Sequence, residues 1–438
     1  MTLPKIPDIG VIRLCTVLSC VLLAGTPAWG QPAGSTWEVG TPICSYYQGP
    51  GAGEGARWDQ ITDPGVATKL ANEGFNLCWI MRQEDWAVAH AAGLRGMTQI
   101  VRYELLHSGP STWDYLDANL TFQLQQPNAY ATYVVGEPGA SDFPALGQLV
   151  AYIRERAPSQ LAYINLFPTY ASAAALGTSG DRVTAYREYL RQFVEIVKPD
   201  LISYDHYHFY EGSVTLEPFD GSWYFLNLAL VRERALIAGI PFANVVQALD
   251  QGVSWRMPNG DEARFLAFTT LAYGGLGIFQ FVYNAWEGSV HSGGVVNVDR
   301  TLTPLGQALK DGIHSAFVAI GLQVQPLTSL AAYHVGVIPD GAVALPGGAA
   351  FTVDPPVPSN QARGILLGYF GTAGVTSHVL VVNLDHTQAV TTTVVGPGPL
   401  DVFNATLGTW SAASGGSRAQ VSLLRGGGKL IRLAGLRE

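Results

Sequence analysis

The hydrophobic pattern from about residue 40 to residue 320 alternates short β-branched or aromatic runs with longer stretches of helical periodicity. Eight of the short runs have the length and composition of strands, and their spacing suits βα units. The predicted strands are Pro42–Tyr47, Asn76–Met81, Met97–Arg102, Ala131–Val135, Leu161–Leu166, Leu201–Asp205, Ala243–Leu249 and Gly277–Tyr283. Helices are predicted between consecutive strands.

Local signals indicate where several of these helices begin and end. Gly74, Gly93 and Gly239 each stand directly before a predicted strand, as a glycine does when it ends a helix in left-handed geometry. Asp181 is a predicted N-cap. Eight alternating units over residues 36–326 predict a (β/α)₈ TIM barrel. A doubly wound open sheet is the alternative, but no glycine-rich phosphate-binding pattern follows any strand.

The pattern changes after residue 326, where helical periodicity ends and Gly, Pro, Val and Thr dominate. Short strand-like runs separated by turn residues predict a small all-β domain, a sandwich, over residues 327–438. The predicted fold class is therefore α/β, a TIM barrel followed by a β-sandwich. We expect the second domain to start near Leu327 and not to be needed for chemistry.

The first thirty residues are typical of a secretion signal. Lys5 and Arg13 precede an apolar run, and Ala28-Trp29-Gly30 fits a small-x-small cleavage site. We therefore expect a secreted or periplasmic protein that leaves the membrane after cleavage of residues 1–30. A lipoprotein anchored at Cys20 is the alternative, although the residues before Cys20 fit a lipid-attachment box poorly.

The net charge limits the possible partners, and the cysteine content bears on disulfide bonding. The formal net charge is −9, and cleavage removes two basic residues and one acidic residue, which makes it −10. An acidic protein is a poor partner for nucleic acid or anionic membranes. Two cysteines remain, Cys44 and Cys78; export permits a disulfide, but both lie in apolar runs and are predicted to be unpaired. A monomer is expected.

The residues at the carboxyl ends of the predicted strands decide the chemistry, because these ends line the active face of a barrel. They are polar, aromatic and rich in carboxylates: Tyr46, Tyr47, Arg82, Tyr103, Glu104, His107, Glu137, Asn165, Tyr170, Asp205, His206, Tyr207, His208, Gln247, Asp250, Tyr283, Trp286 and Glu287. Aromatic rings suit the apolar faces of sugars, and two carboxylates suffice for glycosidic cleavage. No metal cluster, cofactor motif, cysteine nucleophile or G-x-S-x-G turn is found in the sequence.

The Gly136-Glu137-Pro138 turn resembles the Asn-Glu-Pro and Asp-Glu-Pro signatures of clan A-like glycoside hydrolase barrels. Other stretches resemble exported bacterial members of this group: residues 164–170, 198–207 and 271–277, and, in the β domain, 380–383 and 428–430. The resemblance implies a TIM-barrel glycosidase with Glu137 as its general acid/base. Pro138 also predicts that Glu137 is held in an extended conformation.

Two departures from that family affect the predicted mechanism. Gly136 stands where the family has an asparagine that bonds a sugar hydroxyl. The end of the seventh strand, where the family has its nucleophilic glutamate, contains Gln247 and Asp250 instead. Asp205 is therefore the first candidate for nucleophile or base, with Glu287 and Asp250 as alternatives.

The predicted sugar contacts are Tyr47, Arg82, Asn165, His206, Tyr207, Gln247, Tyr283, Trp286 and Glu287. The resulting hypothesis is a secreted glycoside hydrolase that cleaves an oligo- or polysaccharide. The alternative is a non-catalytic carbohydrate-binding barrel that has lost the nucleophile of strand seven. The sequence leaves the sugar, the linkage, the stereochemistry and exo or endo action open.

Overall fold

The computed structural model of the chain describes residues 31–47, 64–101, 103–210, 223–251, 255–284, 293–297, 299–355 and 363–435. The predicted signal peptide, residues 1–30, lies outside the described residues. So do two of the predicted sugar contacts, Trp286 and Glu287.

Over these residues, eight parallel strands form one sheet in the order β1-β8-β7-β6-β5-β4-β3-β2. β1 pairs with β8, and Asn76 N donates to Cys44 O at 3.0 Å, which brings the start of β2 beside β1 and nearly closes the barrel. The predicted (β/α)₈ barrel is therefore confirmed. Its strands are β1 (Ile43–Tyr46), β2 (Leu77–Ile80), β3 (Arg95–Thr98), β4 (Ala129–Gly136), β5 (Leu161–Leu166), β6 (Ile202–His206), β7 (Phe242–Gln247) and β8 (Gly277–Phe281).

Helices cover the outside of the barrel and end largely as the sequence predicts. Gly74, Gly93 and Gly239 all have positive φ, and Asp181 accepts a hydrogen bond from Thr184 N at 2.9 Å as an N-cap. The described helices are α1 (Pro64–Asn72), α2 (Asp85–Ala91), α3 (Asp114–Leu124), α4 (Phe143–Arg156), α5 (Ala173–Leu176), α6 (Arg182–Gln192), α7 (Tyr224–Ala238), α8 (Gly260–Ala272), α9 (Pro304–Ala308) and α10 (His314–Val324). None of the helices in the described part of the chain is long and apolar enough to span a membrane.

The C-terminal region is a β domain with two packed sheets, as predicted. Its larger sheet has the order β10-β9-β12-β13-β18-β15-β16, and its smaller sheet has the order β11-β14-β17. α10 ends at Val324 and β9 begins at Thr328, on either side of the predicted boundary. The strands are β9 (Thr328–Val335), β10 (Val343–Ala344), β11 (Thr352–Asp354), β12 (Ile365–Thr372), β13 (Val375–Asn383), β14 (Val390–Val395), β15 (Leu400–Asn404), β16 (Thr409–Ala412), β17 (Arg418–Leu423) and β18 (Gly428–Leu433).

An inner strand of the larger sheet, β12, is buried on both faces. Alternate residues of β12, such as Ile365 and Leu367, belong to the core between the two sheets. Leu366 and Phe370 belong instead to the core of the barrel. A Cβ atom on Gly368 would lie 2.3 Å from Ala272 O, so the sheet backbone packs directly on the end of α8. The β domain is thus fixed to the barrel by apolar contact.

Both described cysteines are buried and unpaired, as predicted. Cys44 lies in β1 and Cys78 in β2, and burial raises the pKa of both thiols. Neither thiol is therefore poised to act as a nucleophile at neutral pH.

Candidate active site

A bulge in β4 sets the direction of the residues that end this strand. Tyr133 pairs with Tyr163 of β5, and the next paired residue is Val135, which leaves one extra residue in β4. Beyond the bulge, Gly136 pairs with Asn165. Tyr133 and Gly136 therefore share the inward face of the barrel, which residues three apart in a regular strand do not do.

Glu137 follows this bulged end in an uncommon backbone conformation. Its φ is 52°, in the left-handed region that residues other than glycine rarely adopt. The predicted extended conformation is therefore wrong, because the chain turns at the strand end, where Glu137 N donates to Asn165 O at 2.7 Å. Such strain typically occurs at functional sites. The side chain is exposed at the rim of the barrel.

Asp205 lies deeper, near the end of β6, and only 4% of its surface is exposed. Asn165 Nδ2 donates a hydrogen bond to Asp205 Oδ1 at 2.8 Å. The amide of Asn165 is itself oriented by Ser203 Oγ, which donates to Asn165 Oδ1 at 3.0 Å. Asn165 therefore positions one oxygen of the carboxyl group.

The same hydrogen bonds continue across the barrel to β1. Tyr163 Oη lies 2.7 Å from Ser203 Oγ, and Tyr47 Oη donates to Tyr163 Oη at 3.1 Å. A connected polar chain thus runs from Tyr47 through Tyr163, Ser203 and Asn165 to Asp205. Because this hydrogen-bond network is buried and connected, it holds its side chains in fixed orientations.

The two predicted catalytic carboxyls have shifted acidities. Burial raises the pKa of Asp205 well above its ordinary value, and the nearby charge of Glu137 raises it further, whereas the hydrogen bond from Asn165 lowers it. Partial desolvation by the surrounding protein also raises the pKa of Glu137, although the residue is exposed at the rim. Two carboxyls within each other's field resist losing both protons, so the pair retains a proton at pH values where isolated carboxyls are ionised. Such a pair is suited to acid–base chemistry.

Aromatic rings form one wall of the site. The Tyr207 ring stacks on Phe281 with centroids 5.4 Å apart and meets the edge of Trp255 at 5.1 Å. Burial raises the pKa of Tyr207 well above normal, and the charges of Asp205 and Glu137 are among the further causes. The Tyr207 phenol therefore lies in the field of both carboxyls and remains protonated.

His206, a predicted sugar contact, faces away from this pocket. Its Nδ1 lies 2.8 Å from Asn227 Oδ1 on α7, and the residue is fully buried. His208 also faces outward, with its ring stacked on Phe265 of α8. Successive strand residues alternate between faces, so the inward direction of Asp205 and Tyr207 turns both histidines toward the helices. The prediction for His206 is wrong for this reason.

Gln247 occupies the end of β7, where the resembled family has its nucleophile. Its amide forms hydrogen bonds to backbone groups of two loops. Gln247 Oε1 accepts from Phe209 N at 2.8 Å, and Nε2 donates to Phe209 O at 2.9 Å and Arg256 O at 2.7 Å. The side chain is fully buried. It joins the loops after β6 and β7, so the structure contradicts the prediction that it binds a sugar.

The structure places the remaining predicted contacts in different surroundings. Tyr283, a predicted sugar contact, faces outward instead, where its hydroxyl donates to Glu73 Oε2 at 2.9 Å. Arg82 is exposed at the rim, with its backbone N–H donating to Asp85 Oδ2 at 2.9 Å. Asp250 is half-buried just after β7. Of the predicted sugar contacts that the structure describes, Tyr47, Asn165 and Tyr207 surround Asp205.

Three hydroxyl-bearing residues of the site escaped the sequence analysis: Tyr133, Tyr163 and Ser203. Ser203 and Asp205 are two residues apart in one strand, as are Tyr163 and Asn165. Period-two alternation counted back from the strand tips therefore identifies Ser203 and Tyr163. Tyr133 has no such signal, because the bulge of β4 interrupts the alternation.

Within the described ranges, no group of three or more His, Cys, Asp or Glu side chains could hold a metal ion. The arrangement can bind a polar ligand through tyrosine and asparagine groups and transfer protons through two carboxyls. It can also stack rings on the ligand through Tyr207 and Phe281.

Comparisons with known proteins agree with the fold. A scan against protein-family models and a search of curated proteins find no match. Among solved structures, one described as a glycoside hydrolase matches with a TM-score of 0.50 and 10% identity, over 86% of this chain and 90% of its own. A family 5 glycoside hydrolase from Bacteroides vulgatus matches with a TM-score of 0.48, 10% identity and 85% coverage of each chain. A 4-O-α-L-rhamnosyl-β-D-glucuronidase from Fusarium oxysporum matches with a TM-score of 0.46 and 10% identity, over 93% and 99%. At such identity the first likeness shows a shared fold, which is the fold that the resemblance to clan A-like barrels predicts.

Proposed function

We propose that the protein is an exported glycoside hydrolase that cleaves O-glycosidic bonds of an oligo- or polysaccharide with two carboxyl groups, Glu137 and Asp205. The observation that carries the proposal is the pair itself. Both carboxyls lie at the carboxyl ends of barrel strands, their pKa values are raised, and tyrosine rings surround them. Active sites of TIM-barrel enzymes lie at this face.

The two carboxyl groups differ in solvent exposure, and this difference assigns their catalytic roles. Glu137 is exposed at the rim, where a departing sugar or alcohol can receive a proton and leave. Asp205 is almost fully buried, and the hydrogen bond that it accepts from Asn165 orients its carboxyl group and opposes the rise in its pKa that burial and Glu137 cause. Glu137 therefore acts as the general acid, and Asp205 acts as the nucleophile or as the base that activates water.

Tyr47, Asn165 and Tyr207 hold the sugar beside this pair, and Arg82 contacts it from the rim. We also expect Trp286 and Glu287, which follow β8 in the sequence, to contact the sugar. A neutral carbohydrate suits these groups, because hydroxyl and amide side chains bond sugar hydroxyls and aromatic rings cover its apolar faces.

The test is a screen of the secreted protein against polysaccharides and nitrophenyl glycosides, with release of reducing ends or nitrophenol as the readout. The Glu137→Gln/Asp205→Asn double variant is the inactive reference, and Asp114→Asn, which changes an exposed carboxylate on α3, is the control. We expect turnover by the wild type and the control alone. Equal turnover by the double variant would reject the site.

One observation favours the alternative of a carbohydrate-binding barrel without catalysis. Gln247, at the position of the family's nucleophile, is fully committed to backbone groups of two loops. This alternative predicts saturable binding of a glycan in calorimetry with no release of reducing ends by the wild type. Turnover that is lost in the double variant rules it out.

A further inference from the structure

The inward face of β4 shows how the site compensates for Gly136. A Cβ atom on Gly136 would lie 2.8 Å from Tyr133 Oη, and no other described atom outside its chain neighbours lies within 4 Å of that position. The Tyr133 hydroxyl therefore occupies the space next to Gly136 that a side chain would fill. In the family that the sequence resembles, an asparagine side chain begins at this point.

The ring of Tyr133 is packed so that its hydroxyl cannot easily move elsewhere. Its centroid lies 5.3 Å from that of Trp79, 6.1 Å from that of Tyr163 and 6.2 Å from that of Tyr47. Packing on several sides fixes the rotamer of a buried ring. The bulge before Gly136 then brings the fixed hydroxyl to the strand tip that carries Glu137.

The electrostatic surroundings place the same hydroxyl beside the carboxyl pair. Burial is the largest cause that raises the pKa of Tyr133 to about 12, and the charges of Glu137 and then Asp205 contribute. The phenol therefore remains protonated at neutral pH and can donate a hydrogen bond. A donor within the field of both carboxyls lies close to where a sugar undergoing cleavage must sit.

We propose that Tyr133 is a catalytic residue, whose hydroxyl donates a hydrogen bond to a sugar hydroxyl bound between Glu137 and Asp205 and so replaces the missing asparagine. Gly136 is the second half of this replacement, because only a residue without a side chain leaves room for the phenol. This inference rests on the proposed function.

The test compares Tyr133→Phe, Gly136→Ala and the double variant on whichever nitrophenyl glycoside the wild type cleaves. Tyr133→Phe removes only the hydroxyl and should lower kcat/KM by roughly 10- to 100-fold, as loss of one hydrogen bond in a polar site does. Gly136→Ala should cause a similar loss, because its methyl group displaces the hydroxyl. The double variant should be no worse than either single variant, since both changes remove the same contact.

A stability measurement tests the geometry without any substrate. Gly136→Ala should lower the midpoint of thermal unfolding in the wild type but have little effect in the Tyr133→Phe background, where no described atom would crowd the new methyl group. An equal cost in both backgrounds would overturn the proposed replacement.

The kinetic outcomes separate this inference from the proposed function. If Asp205→Asn strongly lowers turnover of the nitrophenyl glycoside while Tyr133→Phe changes kcat/KM less than about twofold, Tyr133 is not catalytic and the carboxyl pair stands. If the kinetic losses of Tyr133→Phe and Gly136→Ala multiply in the double variant, the two residues act separately and the replacement is rejected. If neither carboxyl variant reduces turnover, the proposed function itself fails.

Discussion

Both faces of β6 bear buried polar residues, yet the surroundings of these residues differ. On the inward face, Asp205 lies within the field of a second carboxyl and contacts the amide of Asn165. On the outward face, His206 contacts Asn227 of α7, and burial lowers the pKa of His208 well below its usual value. The difference teaches that a polar residue near a barrel rim is available to a ligand only if strand alternation turns it inward.

The comparison predicts that changes on the inward face reduce activity, whereas changes on the outward face reduce stability. The predictions below test this separation, beginning with the largest expected effect.

Substitution of the second carboxyl should have the largest effect. Asp205→Asn removes the nucleophile or base and should lower kcat/KM by about 10²–10⁴-fold, because this group is needed whatever the leaving group. Asp250→Asn and Glu287→Gln, which change the alternative carboxylates, should lower it less than about fivefold. Kinetics on one glycoside decide the assignment, and a larger loss in either alternative variant would move the role to that residue.

Substitution on the outward face should affect folding instead. His206→Ala removes a fully buried ring and the partner of Asn227, and should lower the free energy of unfolding by about 2–4 kcal/mol. Its kcat/KM should remain within about threefold of the wild type. Denaturant unfolding beside kinetics measures both, with His90→Ala, an exposed histidine on α2, as the control. A large loss of kcat/KM in a stable His206→Ala protein would contradict the separation between an inward face for activity and an outward face for stability.

The pH dependence of stability should show a smaller effect at Asp205. Because burial raises its pKa in the folded protein, the folded state holds the proton more tightly than the unfolded chain, whose value is about 3.9. Stability is therefore lost as the pH rises from about 4 through the folded pKa, and the buried charge is unfavourable at neutral pH. Asp205→Asn should therefore stabilise the protein at pH 7 and have much less effect at pH 4. Thermal unfolding at the two pH values checks this, and destabilisation at pH 7 would contradict it.

The sequence predicted the fold well, because the fold depends on patterns within the chain. The eight strands follow from runs of apolar residues, and Gly74, Gly93 and Gly239 have the positive φ that their positions indicated. The short strand-like runs after residue 326 likewise predicted the β domain. Local hydrophobicity and turn residues suffice for such predictions.

The directions of the site residues were harder to predict, because they depend on contacts between distant parts of the chain. Gln247 bonds Phe209, which is 38 residues away, and a single sequence contains no record of that contact. The bulge in β4 arises from pairing with β5 and decides where Tyr133 and Glu137 point. The outward direction of His206 could have been predicted from the sequence, because neighbouring strand residues point to opposite faces and Asp205 was taken to point inward.

The central claim is that Glu137 donates a proton to the leaving group beside Asp205. The most direct measurement compares kcat/KM of Glu137→Gln and Asp205→Asn on a nitrophenyl glycoside and on the same sugar linked to an alkyl alcohol or a second sugar. A nitrophenolate leaves without help, so Glu137→Gln should lose about 10²–10⁴-fold on the alkyl or sugar-linked substrate and far less on the nitrophenyl glycoside. Asp205→Asn should lose activity on both. Equal losses for Glu137→Gln on the two substrates would contradict its role as the acid, and undiminished activity would contradict the site.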